Sequence, residues 1–238
     1  MAGIMHDDGS PFTSYPTSPN ITAVLSSQGF PAPAILSSNA FPLPSNPNNT
    51  LAIFNLTSRV ATDAMFRCLA QSTAYSAVRN GVFKDVYSYE FDRAYQIKEW
   101  SPNPPACEAP ITPGHPFGDP TAVFYKCHSG ELLSVFGTTI RQGRPLRDGY
   151  DIPFSQYIVD TWTAFARTGT PNPEPGFLEA RGFTNTSKLL EEMGVWETVD
   201  AANPMLRVLN VEGRGGNEAF REQEQCVVLG QPLGYYDV

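Results

Sequence analysis

Few side chains in this 238-residue chain are equipped for chemistry near neutral pH, and they fall in a few places. The histidines are His6, His115 and His128. His6 opens the run His6-Asp7-Asp8-Gly9, directly after the apolar Met1–Met5. His115 stands in Gly114-His-Pro-Phe-Gly118, a loop without another ligand type close by. His128 stands in Cys127-His-Ser-Gly-Glu-Leu-Leu133, between a short apolar run and a helix-like stretch. Working residues of open α/β sheets sit beyond the carboxyl ends of strands. Both Asp8 and His128 have that placement, and an imidazole held by a carboxylate is equipped for general base catalysis. The bland alternative is a solvated loop histidine and an Asp-Asp-Gly turn former.

Other chemistries find little support. Cys127 and His128 have no second cluster at metal-ligand spacing, so no metal site is expected. No Gly-x-x-x-x-Gly-Lys or Gly-x-Gly-x-x-Gly occurs, which removes the usual nucleotide cradles, and no cofactor is expected. Sixteen Lys and Arg against 24 Asp and Glu give a net charge of −8, opposite to a nucleic-acid-binding footprint. No apolar run approaches the roughly 18 residues of a membrane span. Cys68, Cys107, Cys127 and Cys226 are either buried thiols or two disulfides, for which three pairings exist. Asn-x-Ser/Thr sequons stand at Asn20, Asn48, Asn55 and Asn185.

The elements that must position these groups follow from periodicity. Met1–Met5 reads as a buried strand ending in a turn. Residues 13–58, rich in Pro, Ser and Asn, read as a covering segment with short helical pieces. A helix is expected from Thr62 to the Asn80-Gly81 stop, because Phe66, Leu69, Ala70, Ala74 and Ala77 recur at helical spacing. Val86–Phe91 alternates, with Tyr87, Tyr89 and Phe91 on one face of a strand. After a proline-rich loop, Ala122–Tyr125 reads as a strand-like run and Leu132–Phe136 as helical. Asp151 is the expected N-cap of a helix whose stripe is Phe154, Tyr157, Ile158, Trp162 and Phe165, closed by Gly169. Val195–Val199 and Met205–Leu209 read as strands, and Asn217–Val228 as a terminal helix. A single α/β unit over 1–238 is the simplest account.

Three blocks carry a resemblance. Gly3-Ile-Met-His-Asp-Asp-Gly-Ser-Pro-Phe12 resembles the pattern Gly-x-x-x-Asp-Glu-Gly-x-x-Phe of the type-B carboxylesterase/lipase family. His128-Ser-Gly-Glu-Leu-Leu-Ser-Val-Phe-Gly137 is similar to that family's His-x-x-Glu-(x)4-Phe-Gly block. Trp162-Thr-Ala-Phe-Ala-Arg-Thr-Gly-Thr-Pro-Asn172 is similar to its Trp-x-x-Phe-(x)3-Gly-x-Pro block. The tyrosine strand and the Cys107/Cys127 pair look most like the fungal members.

The resemblance implies an α/β-hydrolase fold of which this chain holds the C-terminal portion, with an incomplete central sheet. It places Asp8 on the catalytic acid, where Glu is usual, and His128 on the catalytic histidine, with Glu131 beside them. In this family order the nucleophilic Ser precedes the acid and the His. No Gly-x-Ser-x-Gly occurs here, so the nucleophile and its oxyanion loop are absent. Ser129, adjacent to His128, is a poor substitute because neighbouring side chains on a turn do not meet in Ser–His geometry. The same resemblance implies disulfides Cys68–Cys226 and Cys107–Cys127, glycosylation at the sequons and secretion, although Met1–Gly9 has no signal-peptide pattern. The expected partner is a small-molecule ester, and only once the missing front half is present. The sheet edge at Met1–Met5 is expected to lie unpaired and the isolated chain to be inactive. A non-catalytic cholinesterase-like binding protein and a pseudogene product are the alternatives.

Overall fold

Four short strands, β1 (Ala2–Met5), β2 (Ser88–Phe91), β3 (Met205–Leu209) and β4 (Gly216–Ala219), form one sheet in the order β1-β2-β3-β4. The computed structural model describes residues 1–43, 46, 49–97, 103–182 and 184–237. β1 pairs parallel with β2 in the register Ala2↔Ser88 to Met5↔Phe91, and β2 parallel with β3. β4 returns antiparallel on β3. Gly3 is required for the first pairing: a Cβ there would lie 2.2 Å from the Tyr89 carbonyl oxygen.

Helices cover both faces of this sheet, as parallel pairing requires. The stretch that covers one face runs as α3 (Thr50–Thr62), a π-helical turn (Asp63–Arg67) and α4 (Cys68–Arg79). It begins twelve residues earlier than the Thr62 expected from periodicity, inside the stretch assigned to the covering segment. The start signal is Asn49, whose side chain accepts from the Leu51 and Ala52 amides. Ahead of it, α1 (Ile21–Ser27) and α2 (Ala32–Ser37) fold onto α3 through Leu25, Ile35, Phe41, Leu56 and Val60. Residues 13–58 therefore hold α1, α2 and the start of α3.

On the other face lie α6 (Asp151–Thr168) and α8 (Thr184–Met193), with α7 (Pro175–Arg181) between them. The α6 stripe meets Phe91 of β2 and Tyr87 just before it in a largely aromatic core with Phe154, Tyr157, Ile158 and Trp196, with Tyr89 and Trp162 packed against it. Gly169 closes α6 at φ 78°, a left-handed conformation that glycine adopts at little cost. Asp151 is not the N-cap. Asp148 accepts from the Tyr150 and Asp151 amides, while Asp151 pairs with Arg93 and Arg147.

Three further expectations are corrected. Ala122–Tyr125 forms no strand, and Val123 is fully exposed. Val195–Val199 is no sheet member; Trp196 is buried there, with its Nε1–H donating to the Ser88 carbonyl. Asn217–Val228 divides into the end of β4 and the short α9 (Gln223–Val228). Disulfides join Cys68 to Cys226, tying α4 to α9, and Cys107 to Cys127.

Candidate active site

The acid loop is built at the carboxyl end of β1. Past Met5 the backbone reverses, with the Asp8 amide donating to the Met5 carbonyl at 3.3 Å and the Ser10 amide to the Asp7 carbonyl at 3.1 Å. The Met5 amide donates to Asp8 Oδ2 at 3.0 Å, so this carboxylate closes its own turn. Gly9 sits against the end of α3, where its amide donates to Thr62 Oγ1 at 3.0 Å. A Cβ on Gly9 would stand 2.2 Å from the Thr62 nitrogen, so only glycine permits this approach. Asp7 works in the other direction. Its amide donates to the Lys126 carbonyl at 3.1 Å and its Oδ2 accepts from the Lys126 amide at 2.8 Å.

The segment so held carries His128. The Cys107–Cys127 disulfide ends immediately before it. A tight reversal follows, with Ser129 at φ 68° and the Gly130 amide donating to the Cys127 carbonyl at 3.0 Å. Gly130 lies against β2's continuation: its carbonyl accepts from the Tyr95 amide at 2.8 Å, and a Cβ would meet the Ala94 methyl at 2.8 Å. α5 (Leu132–Val135) then begins. This geometry places His128 Nδ1 2.6 Å from Asp8 Oδ1. An ionised carboxylate only accepts, so the ring proton belongs on Nδ1 and Nε2 is left as a base. The Asp8 side chain is 6% exposed and that of His128 48%, so the acid is enclosed and the ring opens outward. Phe12 and Phe66 flank the ring at centroid distances of 5.4 and 5.5 Å.

Burial pushes the Asp8 carboxyl above its ordinary range, against the opposing pull of the Met5 amide, His128 and Arg67. Burial also raises Glu131, assisted by the Asp8 charge and opposed by its own backbone amide and by His128. Glu131 Oε2 is buried without a hydrogen-bond partner, and Glu131 stands close enough to couple electrostatically to the pair. Tyr89 is pushed up to about 12 by burial and by the charges of Glu131 and Asp8. Asp7 differs from its neighbour: burial would raise it, but His6, 3.1 Å away, and the Lys126 amide hold it below the usual range.

The remaining expected residues lie elsewhere. Asn20 caps α1, accepting from the Ala23 amide. Asn55 on α3 accepts from the Tyr125 hydroxyl at 2.7 Å, and Asn185 on α8 donates to Gln156 at 3.1 Å. Asn48 lies outside the described residues. His115 Nδ1 lies 3.0 Å from the Arg147 carbonyl and Nε2 3.9 Å from Asp119, an acid four residues on that the sequence reading passed over. A cleft of about 1170 Å³ opens beside the acid loop on the Asp7 side, lined by His6, Asp7, Tyr125 and Lys126 but by neither Asp8 nor His128. Sequence reasoning did not find Thr62 or Arg67, which hold the acid loop from the π-helical turn and the residue before it.

A model of the carboxylesterase family matches residues 41–226. The matched stretch contains His128, Glu131 and all four cysteines, while β1 and Asp8 precede it. No curated protein matches the chain significantly.

Proposed function

Since the chain belongs to the carboxylesterase family, we propose that Asp8 and His128 are the acid and the general base of a carboxylic ester hydrolase. The observation that carries this is the 2.6 Å contact between Asp8 Oδ1 and His128 Nδ1. With Nδ1–H donated to Asp8, Nε2 accepts the proton of an attacking hydroxyl and later returns it to the leaving alcohol. The enclosed carboxylate keeps this tautomer and stabilises the imidazolium that forms. Its burial makes the charge costly when unpaired, which strengthens its bond to a cationic ring. Phe12 and Phe66 offer an apolar wall to the ester beside the base.

The attacking hydroxyl comes from outside these residues. The sequence has no Gly-x-Ser-x-Gly, the motif that carries the serine and places one of the oxyanion donors in this fold. The chain alone is therefore inactive and acts with a serine-bearing segment of the same fold. Its two disulfides fit an oxidising, extracellular setting, with Asn20, Asn48, Asn55 and Asn185 as glycosylation sites.

The test is p-nitrophenyl ester hydrolysis by the purified chain, alone and mixed with the serine-bearing half of a family member. The chain alone should give no turnover, and the mixture should give turnover that His128→Ala and Asp8→Ala each reduce at least a hundredfold. Turnover by the chain alone that His128→Ala abolishes would refute the outside nucleophile. Turnover of the mixture that His128→Ala leaves intact would refute the pair.

A further inference from the structure

The π-helical turn between α3 and α4 stands over the acid loop and touches it repeatedly. Thr62, just before the turn, accepts from the Gly9 amide. Phe66 packs on the His128 ring. Arg67 donates through Nη2 to the His6 carbonyl at 2.9 Å, the first carbonyl beyond β1. Such turns displace the register of a helix, and they recur at functional sites. Here the displacement brings one helical turn against both halves of the pair.

Arg67 is 4% exposed, and its three nitrogens point three ways. Nη1 pairs with Asp63, Nε donates to Glu90 Oε2 at 3.3 Å, and Nη2 takes the His6 carbonyl. Asp63 and Glu90 are fully buried. Glu90 also pairs with Arg221, which in turn reaches Glu218 at 2.6 Å. The cation is therefore anchored from two sides before it reaches the backbone of the acid loop. A buried charge of this kind costs more to desolvate than a surface pair and contributes little as a generic stabiliser. A planar fork aimed at three fixed acceptors is suited to holding geometry.

We propose that Arg67 is the positioning residue of the Asp8–His128 pair: by fixing the His6 carbonyl it sets where the acid loop leaves β1, and so where Asp8 meets the imidazole. The assignment deepens the hydrolase reading and rests on it for its chemical meaning. Its test needs no turnover.

The full ¹⁵N-labelled chain carries the experiment, as wild type and as Arg67→Met, Arg67→Lys and Arg221→Met. Arg221→Met removes a cation from the same network without touching the His6 carbonyl, and so reports general destabilisation. In Arg67→Met, exchange of the Met5 and Asp8 amides should accelerate on the order of tenfold or more beyond Arg221→Met. The ring ¹⁵N spectrum of His128 should show the neutral proton leaving Nδ1 for Nε2. Arg67→Lys, which keeps the charge and loses the fork, should fall between. If Arg67→Met does not fold, Arg67→Lys bears the comparison with Arg221→Met alone. Equal exchange and unchanged ring nitrogens in the Arg67 variant measured would overturn the proposal. Failure of the hydrolase reading would appear separately, as reconstituted turnover indifferent to His128→Ala with these spectra unaltered.

Discussion

Gly9→Ala probes the link between fold and site most directly. Gly9 has φ −79° and ψ −15°, angles any residue adopts, so alanine brings no backbone strain of its own. What it brings is a methyl group 2.2 Å from the Thr62 nitrogen, 2.4 Å from the Ala61 carbonyl carbon and 2.7 Å from Thr62 Cα. All three are main-chain atoms near the end of α3 and cannot rotate aside. To reach ordinary contact near 3.5 Å, the acid loop must retreat by about 1.3 Å. That retreat breaks the Gly9–Thr62 hydrogen bond, which contributes about 1 kcal/mol. It also stretches the 2.6 Å contact between Asp8 and His128 beyond hydrogen-bonding range unless the His128 segment follows. That segment is tied by Cys107–Cys127 and by the Tyr95 amide, which hold it back. With the overpacking term of about 1–3 kcal/mol, urea unfolding should register a loss of about 2–4 kcal/mol. The His128 ring nitrogens should lose their Nδ1-protonated signature in the same variant. A stability within about 0.5 kcal/mol of wild type together with an unaltered ring spectrum would refute the packing argument.

Asp63 should make stability fall with rising pH. Burial pushes it up to about 6 from the ordinary 3.8, so its contribution is complete below pH 3.8 and is lost as the pH rises through 6. Relative to Asp63→Asn, wild type should lose up to about 3 kcal/mol between pH 4 and pH 7 in denaturant titrations, and parallel curves would contradict this. Arg207→Met should cost about 2–4 kcal/mol. The guanidinium donates to the Met193 and Gly194 carbonyls at 2.6 and 2.5 Å, and a thermal melt unchanged from wild type would count against those bonds. Replacing both Cys68 and Cys226 by alanine opens a bridge spanning 158 residues and should lower stability by about 4–5 kcal/mol, measured by urea unfolding.

Much of this molecule was legible where apolar spacing and turn residues agree. The α6 stripe with Gly169, the tyrosine face of β2 and the turn after β1 are cases of that kind. Legibility failed where neighbours in space decide. α3 starts within a Pro-, Ser- and Asn-rich stretch, and its buried face becomes apparent only with α1 and α2 folded upon it. Ala122–Tyr125 and Val195–Val199 have strand-like composition, but Tyr125 and Val199 each make one backbone bond, to the Ala106 and Val86 carbonyls, and neither segment joins the sheet. β4 has the opposite character: Gly-Asn-Glu-Ala lacks any strand pattern, and only backbone bonds to β3 make it one. The proximity of Asp8 and His128, 120 residues apart, rests on motif resemblance, since no periodicity reports it. Arg67 was invisible because an Asp and an Arg four apart on a helix ordinarily mark a solvated face.

Asp7 and Asp8 are adjacent in the chain yet serve different masters, one gripping the main chain at Lys126 and the other the imidazole two residues further on. Such a division of labour makes the exit from the strand intolerant of insertions and deletions. Adding one residue after Met5 would put Asp7 opposite the imidazole and leave Lys126 without its carboxylate, and removing one would put Asp8 at Lys126 and leave the imidazole facing Gly9. Drift in this part of the gene should therefore run through exchanges of residue type, with the count of codons kept constant.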